Sequence, residues 1–183
     1  MSSNKKELYK VASRGFTSQN LLNINAYVQL KNKDGSEILS DIIYFEVSKG
    51  VRNENSRGFN YDTDNKISMK FNSYELRALC FALRTLHSKK VCNYKKYSDP
   101  VLSRSQGNKK EITLAFSKNN DESDKFYINF EEKNVLQVGI AFDTYELPAF
   151  VGSIEKIANE VDERLYSYQR ALDKRLREQS NWF

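Results

Sequence analysis

The chain has 183 residues, 39% of them hydrophobic and 13% aromatic, with 29 Lys and Arg against 24 Asp and Glu. That length fits one domain able to bury a core, and the apolar content excludes a wholly disordered chain, which could not offset its ordering entropy. A net charge of +5 and a pI near 9.0 raise the prior for an anionic partner such as nucleic acid.

Residues 1–20 are polar and basic (Lys5, Lys6, Lys10, Arg14) and read as a flexible arm. Neither an apolar leader core nor an apolar run near ~18 residues occurs, so the chain is expected to be cytoplasmic, without signal or transit peptide and without a membrane. From 22 to 31 the sequence alternates: Ile24, Ala26, Val28 and Leu30 on one face, Asn23, Asn25, Tyr27, Gln29 and Lys31 on the other. This is a half-buried strand. Asp34-Gly35 supplies a turn, because Asp-Gly accepts positive φ, and a second strand runs from about Ile38 to Lys49. A polar hairpin loop holding Arg57 follows, then strand residues at Phe59–Tyr61 and again at Lys66–Phe71. A helix comes next, its buried stripe made by Leu76, Leu79, Cys80, Leu83 and Leu86.

The segment from His87 to Lys110 is a basic loop: Lys89, Lys90, Lys95, Lys96, Arg104, Lys109 and Lys110 against Asp99 alone, with Tyr94 and Tyr97 among them. Three alternating strands carry Ile112, Leu114 and Phe116, then Phe126, Ile128 and Phe130, then Val138, Ile140 and Phe142. The final helix, from Glu146 to Arg177, would be about 48 Å long and carries an apolar stripe from Phe150 to Leu176. A stripe longer than a small sheet can cover predicts a homo-oligomer. The sequence thus divides into the arm, a folded domain at 21–165, and a basic helical extension at 166–183.

Two stretches are near copies. Phe71-Asn72-Ser73-Tyr74-Glu75-Leu76-Arg77-Ala78-Leu79 and Phe142-Asp143-Thr144-Tyr145-Glu146-Leu147-Pro148-Ala149-Phe150 each join a strand to a helix. Asn72 with Glu75, and Asp143 with Glu146, fit capping boxes, in which two side chains satisfy backbone N–H groups of the first turn. The fold class is therefore α+β: two four-stranded antiparallel sheets, each followed by a helix, in two halves of similar plan.

Signals for catalysis are weak. There is no phosphate-binding glycine loop, no nucleophile elbow and a single histidine, His87. Cys80 and Cys92 form neither a disulfide framework nor a zinc pattern. The carboxylates of Asp62 and Asp64, of Asp121, Glu122 and Asp124, and of Glu131 and Glu132 fall in turns or at strand ends, where solvated acids are usual. No metal, cofactor or enzymatic activity is expected. The open strand faces are more informative, because tyrosines beside amides and cations suit unpaired bases: rings stack and cations neutralise phosphate. The candidates on the faces are Tyr27, Gln29, Lys31, Tyr44, Lys70, Lys125 and Tyr127. Those in loops and at strand ends are Arg57, Tyr61, Lys66, Tyr94, Lys95, Lys96, Tyr97 and Lys110.

The run from Gly58 through Tyr61-Asp62-Thr63 and the strand Ile67-Ser68-Met69-Lys70-Phe71 to Glu75 resembles the Tyr-Asp-Trp element and following strand of the Whirly proteins, a family that binds single-stranded DNA. Tyr97-Ser98-Asp99-Pro100 is similar to that family's His-Asp-Pro, and Asp143-Thr144-Tyr145-Glu146 to the start of its last helix. The resemblance spans about residues 22–165. It implies two sheets each followed by a helix, single-stranded DNA binding with little sequence preference, and a homotetramer. Thr63 stands where the family has Trp, and Tyr9-Lys10-Val11-Ala12-Ser13 is a poor counterpart of its Lys-Gly-Lys-Ala-Ala-Leu strand. Mitochondrial guide-RNA-binding proteins share the architecture, so RNA is open as an alternative ligand, as is a structural role for the long helix. A bacterial or viral origin fits better than a plant one. Replication, recombination, repair, transcription and RNA handling are equally open.

Overall fold

A computed structural model describes residues 6–33, 36–97, 109–118 and 124–180. Its elements are β1 (Lys6–Thr17), β2 (Leu21–Lys33), β3 (Ser36–Arg52), β4 (Phe59–Phe71), α1 (Ser73–Lys89), β5 (Lys95–Tyr97), β6 (Lys110–Ser117), β7 (Lys125–Glu132), β8 (Leu136–Phe142) and α2 (Glu146–Ser180). Two antiparallel sheets result, ordered β1-β2-β3-β4 and β5-β6-β7-β8. The expected plan of four strands and a helix, twice over, is the plan found.

The membership of the first sheet differs from the expectation. The arm is largely a strand: Lys6–Thr17 pairs with β2 along its length. Conversely, the two short strands expected at 59–61 and 66–71 are one strand, interrupted where Ser48 pairs with Lys66 but Gly50 pairs with Tyr61. The extra β4 residues form a bulge that Asp62 ties together, its carboxylate accepting from the backbone of Asp64 and Asn65 and from the Asn65 amide. Those hydrogen bonds hold the Asp62 carboxyl below its ordinary range. In the second sheet, part of the expected basic loop is the edge strand β5. The Asp34-Gly35 turn, Ser98-Asp99-Pro100, Arg104 and the acids Asp121 and Glu122 lie outside the described residues.

Both helices start as the near copies imply. Glu75 N–H donates to Asn72 Oδ1 at 2.7 Å, and Glu75 Oε2 accepts from Asn72 N–H at 2.9 Å. At α2 the same exchange joins Glu146 and Asp143, at 2.8 and 3.0 Å. One core serves both halves, running from Leu22, Ile24, Phe45 and Phe71 through Leu76, Leu79 and Leu83 to Phe126, Phe130 and Ile154. Its layers are crossed: α2, which follows the second sheet, lies against β1, β2 and β3 of the first, while α1 touches β3, β4 and β6. Ring contacts fix the direction of α2. Phe150 meets Phe16 at 4.8 Å and Tyr168 meets Tyr9 at 5.6 Å, so the helix runs along β1 in the opposite sense.

That alignment corrects the expectation of how much helix one sheet can cover. Burial is complete to Val161 and persists in part at Leu165, Tyr168 and Leu172, because β1 and the 17-residue β3 are longer than expected. Beyond them Leu176 is 63% exposed. Asn20 joins the two sheets: its Oδ1 accepts from Gly50 N–H at 2.9 Å and its Nδ2 donates to the Gly139 carbonyl at 2.8 Å. Gly50 must lack a side chain there, since a Cβ would lie 1.9 Å from the Gln19 carbonyl oxygen.

Candidate nucleic-acid interface

Strand alternation sends one face of each sheet to the core and turns the other outward. On the outer face of the first sheet, Tyr27 and Tyr44 are half-buried and meet edge to face at 6.2 Å. Lys70 lies in register with Tyr44, is exposed, and has no ion-pair partner among the described residues. A polar ladder crosses all four strands beside these rings. Ser13 Oγ donates to Asn25 Oδ1 at 2.8 Å, Asn25 Nδ2 donates to Glu46 Oε2 at 3.2 Å, and Lys66 Nζ pairs with Glu46 Oε1 at 2.6 Å.

On the second sheet Tyr127 lies between Ala115 and Ala141, and both Tyr127 and Lys125 are half-buried. The small neighbours leave this ring without an aromatic partner among the described residues. Asn129 lies over Gly139, where a Cβ would sit 2.9 Å from the amide oxygen. At the β5 end, Lys95 pairs with Glu111 at 3.4 Å, and Lys109 Nζ sits 4.0 Å from the centroid of the Tyr97 ring. Tyr97 remains 44% exposed.

Four expected contact residues are partly or wholly withdrawn from solvent. Lys110 is only 6% exposed, its ammonium held by Glu132 at 3.5 Å and by the Ser68 carbonyl. Lys96, its side chain 14% exposed, pairs with Glu75 at 2.5 Å and lies 4.8 Å above the Phe71 ring. Tyr94 packs against the core, and burial pushes its phenol up to about 12. Gln29 is 6% exposed, between Leu8 and Ser40 in register. Gln29 and Lys110 are thus buried, and Tyr94 and Lys96 half-buried. Tyr61 is tied down, its hydroxyl donating to the Ser18 carbonyl at 2.8 Å, whereas Arg57 is exposed in the β3–β4 turn. Lys31 lies in β2 opposite Ile38.

Three features went unread in the sequence. Glu46 belongs to the outer face, as its spacing of two from Tyr44 implies. Lys109 covers Tyr97. Between the edge strands β1 and β8 opens a groove of about 360 Å³, floored by Phe16, Ile140, Phe142 and Phe150. Among the described residues no group of His, Cys, Asp and Glu is placed to hold a metal ion, and no helix is long and apolar enough to cross a membrane.

This arrangement of sheets and helices defines a Whirly-like fold. The crystal structure of the Whirly protein WHY1 from Arabidopsis thaliana superposes with a TM-score of 0.54 at 12% identity, over 91% of this chain and 92% of that one. At that identity the likeness is one of fold. No protein family and no curated protein matches the sequence.

Proposed function

We propose that this protein binds single-stranded nucleic acid, DNA in the first place, on the outer faces of its two sheets, without catalysing a reaction. The observation that carries the reading is the pairing of accessible rings with cations on both faces: Tyr27 and Tyr44 beside Lys70, and Tyr127 beside Lys125. Each ring offers a stacking surface that any base can use, and each lysine a phosphate contact. The Whirly-like fold supports it, as do the sequence motifs that suggested the family. Comparing single-stranded DNA, duplex DNA and RNA by fluorescence anisotropy at several salt concentrations tests it. Single strands should bind more tightly than a duplex of equal length, with affinity falling as salt rises. Equal affinity for both forms would leave only non-specific charge.

The protein is further proposed to act as a homo-oligomer, a tetramer by the family resemblance. Support comes from the end of α2, where Tyr166 and Leu176 are 65% and 63% exposed and the apolar stripe outruns β1. Light scattering on the full chain and on a chain ending at Ser167 should give a smaller species for the shorter protein. A monomeric full-length chain refutes the assembly.

A further inference from the structure

A carboxylate in the middle of a phosphate-binding surface needs an explanation, because it repels the backbone of any bound strand. Glu46 is in that position. It lies on the same face as Tyr44, one strand repeat of about 7 Å along β3. Its side chain keeps 23% of its surface, and its two protein partners, Lys66 and Asn25, each take one oxygen. A carboxylate offers about four acceptor positions, so some remain open toward solvent. Lys66 offsets the charge and, with Asn25, fixes the group from both sides.

We propose that Glu46 biases the platform toward guanine, whose N1–H and N2–H donors can both reach one carboxylate. The proposal rests on the reading of the sheet face as a single-strand platform and adds a base preference to it. A base stacked on Tyr44 and extending along β3 lays its Watson–Crick edge over Glu46. The carboxylate accepts hydrogen bonds and donates none. Guanine presents two adjacent donors, whereas cytosine and adenine present an exocyclic amine beside an acceptor. Thymine and uracil present one N–H between two carbonyl oxygens, which Glu46 repels. The ranking is therefore guanine first and thymine or uracil last, a bias of composition rather than the reading of a sequence.

The test compares two single strands of equal length, one all thymine and one with guanine at spaced positions in a thymine background. The full-length protein should bind the guanine-bearing strand about tenfold more tightly, the scale of one bidentate base contact. Inosine in place of guanine removes the N2 donors and should return most of that gain, a comparison that needs no variant. Glu46→Gln should abolish the preference. It should also tighten binding of the thymine strand, since Lys66 is freed for phosphate. Equal affinity of the wild type for both strands, an inosine strand bound as well as guanine, or a preference kept by Glu46→Gln would each overturn the role of Glu46 while the platform reading stands. Failure to bind either strand at low salt would remove the platform, and this inference with it.

Discussion

The two sheets approach each other along two lines, and these are built from different materials. Where β4 faces β6 and β7, lysines fill the gap: Lys110 reaches Glu132 and the Ser68 carbonyl, and Lys96 lies over Phe71 against Glu75. Where β1 faces β8, phenyl rings floor a groove open to solvent. A charge withdrawn from water must be matched by an opposite charge and by hydrogen bonds, so the first line tolerates little change. The second line is apolar and open to solvent at its rim, so it can lose atoms more cheaply. Residue type alone does not set the role of a lysine here: Lys110 closes a joint, whereas Lys70 and Lys125 remain available on the outer faces.

Lys110→Ala removes the cation beside the largely buried Glu132. It should destabilise the fold by about 3–5 kcal/mol in urea unfolding. Removing Glu132 as well should recover part of that loss. A Lys110→Ala protein as stable as the wild type would mean that the joint is not held by charge. On the open side, Phe16→Ala should cost less, about 1–2 kcal/mol, because the ring is only half-buried.

Tyr127→Ala should weaken single-strand affinity by about 1–3 kcal/mol without changing the salt slope. Replacing Lys70 and Lys125 with Ala should flatten that slope by about 0.7 for each phosphate no longer neutralised. Lys96→Ala should leave the slope unchanged and lower stability instead. A flattened slope for Lys96→Ala would return that residue to the interface.

A further effect is confined to alkali. Burial raises the Cys80 thiol and the Tyr94 phenol, each to about 12 from ordinary values of 9.0 and 10.0. Both groups are neutral below those values and become anions above them. The folded state disfavours the anions, so its stability is intact below pH 9 and declines as pH rises toward 12. Tyr94→Phe should reduce that decline, measured as unfolding midpoints across the range. Thiol reagents in native protein at pH 8 should label the half-buried Cys92 before Cys80.

Much of the fold could be read because inward residues of the central strands follow strict alternation and both helices begin with a capping box. β1 was hidden by two physical causes. As an edge strand it keeps many side chains in water, and the register shift between Lys10 and Ala12 breaks its period of two. β5 is three residues long, too short for any period to register. On the faces, parity placed Tyr27, Tyr44, Lys70 and Tyr127 correctly. The same parity was available for Lys110, which shares a face with Ile112 and Leu114. Its charge suggested solvent, because its partner Glu132 lies on another strand. Lys96 was obscured in the same way by Glu75, which reaches it from α1.

The crossed helices also set the order in which this chain can shelter itself during synthesis. The first sheet is complete at Phe71, yet the residues of α2 that cover it, from Leu147 to Val161, are translated 76 to 90 positions later. At ribosomal speeds of about 5–20 residues per second, β1 and β2 wait roughly 4–18 seconds with Leu22, Ile24 and Ala26 uncovered on that side. A nascent chain stalled before residue 147 would therefore present a long apolar sheet to chaperones and to other ribosomes' products. Cells making this protein rapidly should depend on such holding factors more than they would for a protein whose helices cover their own sheets.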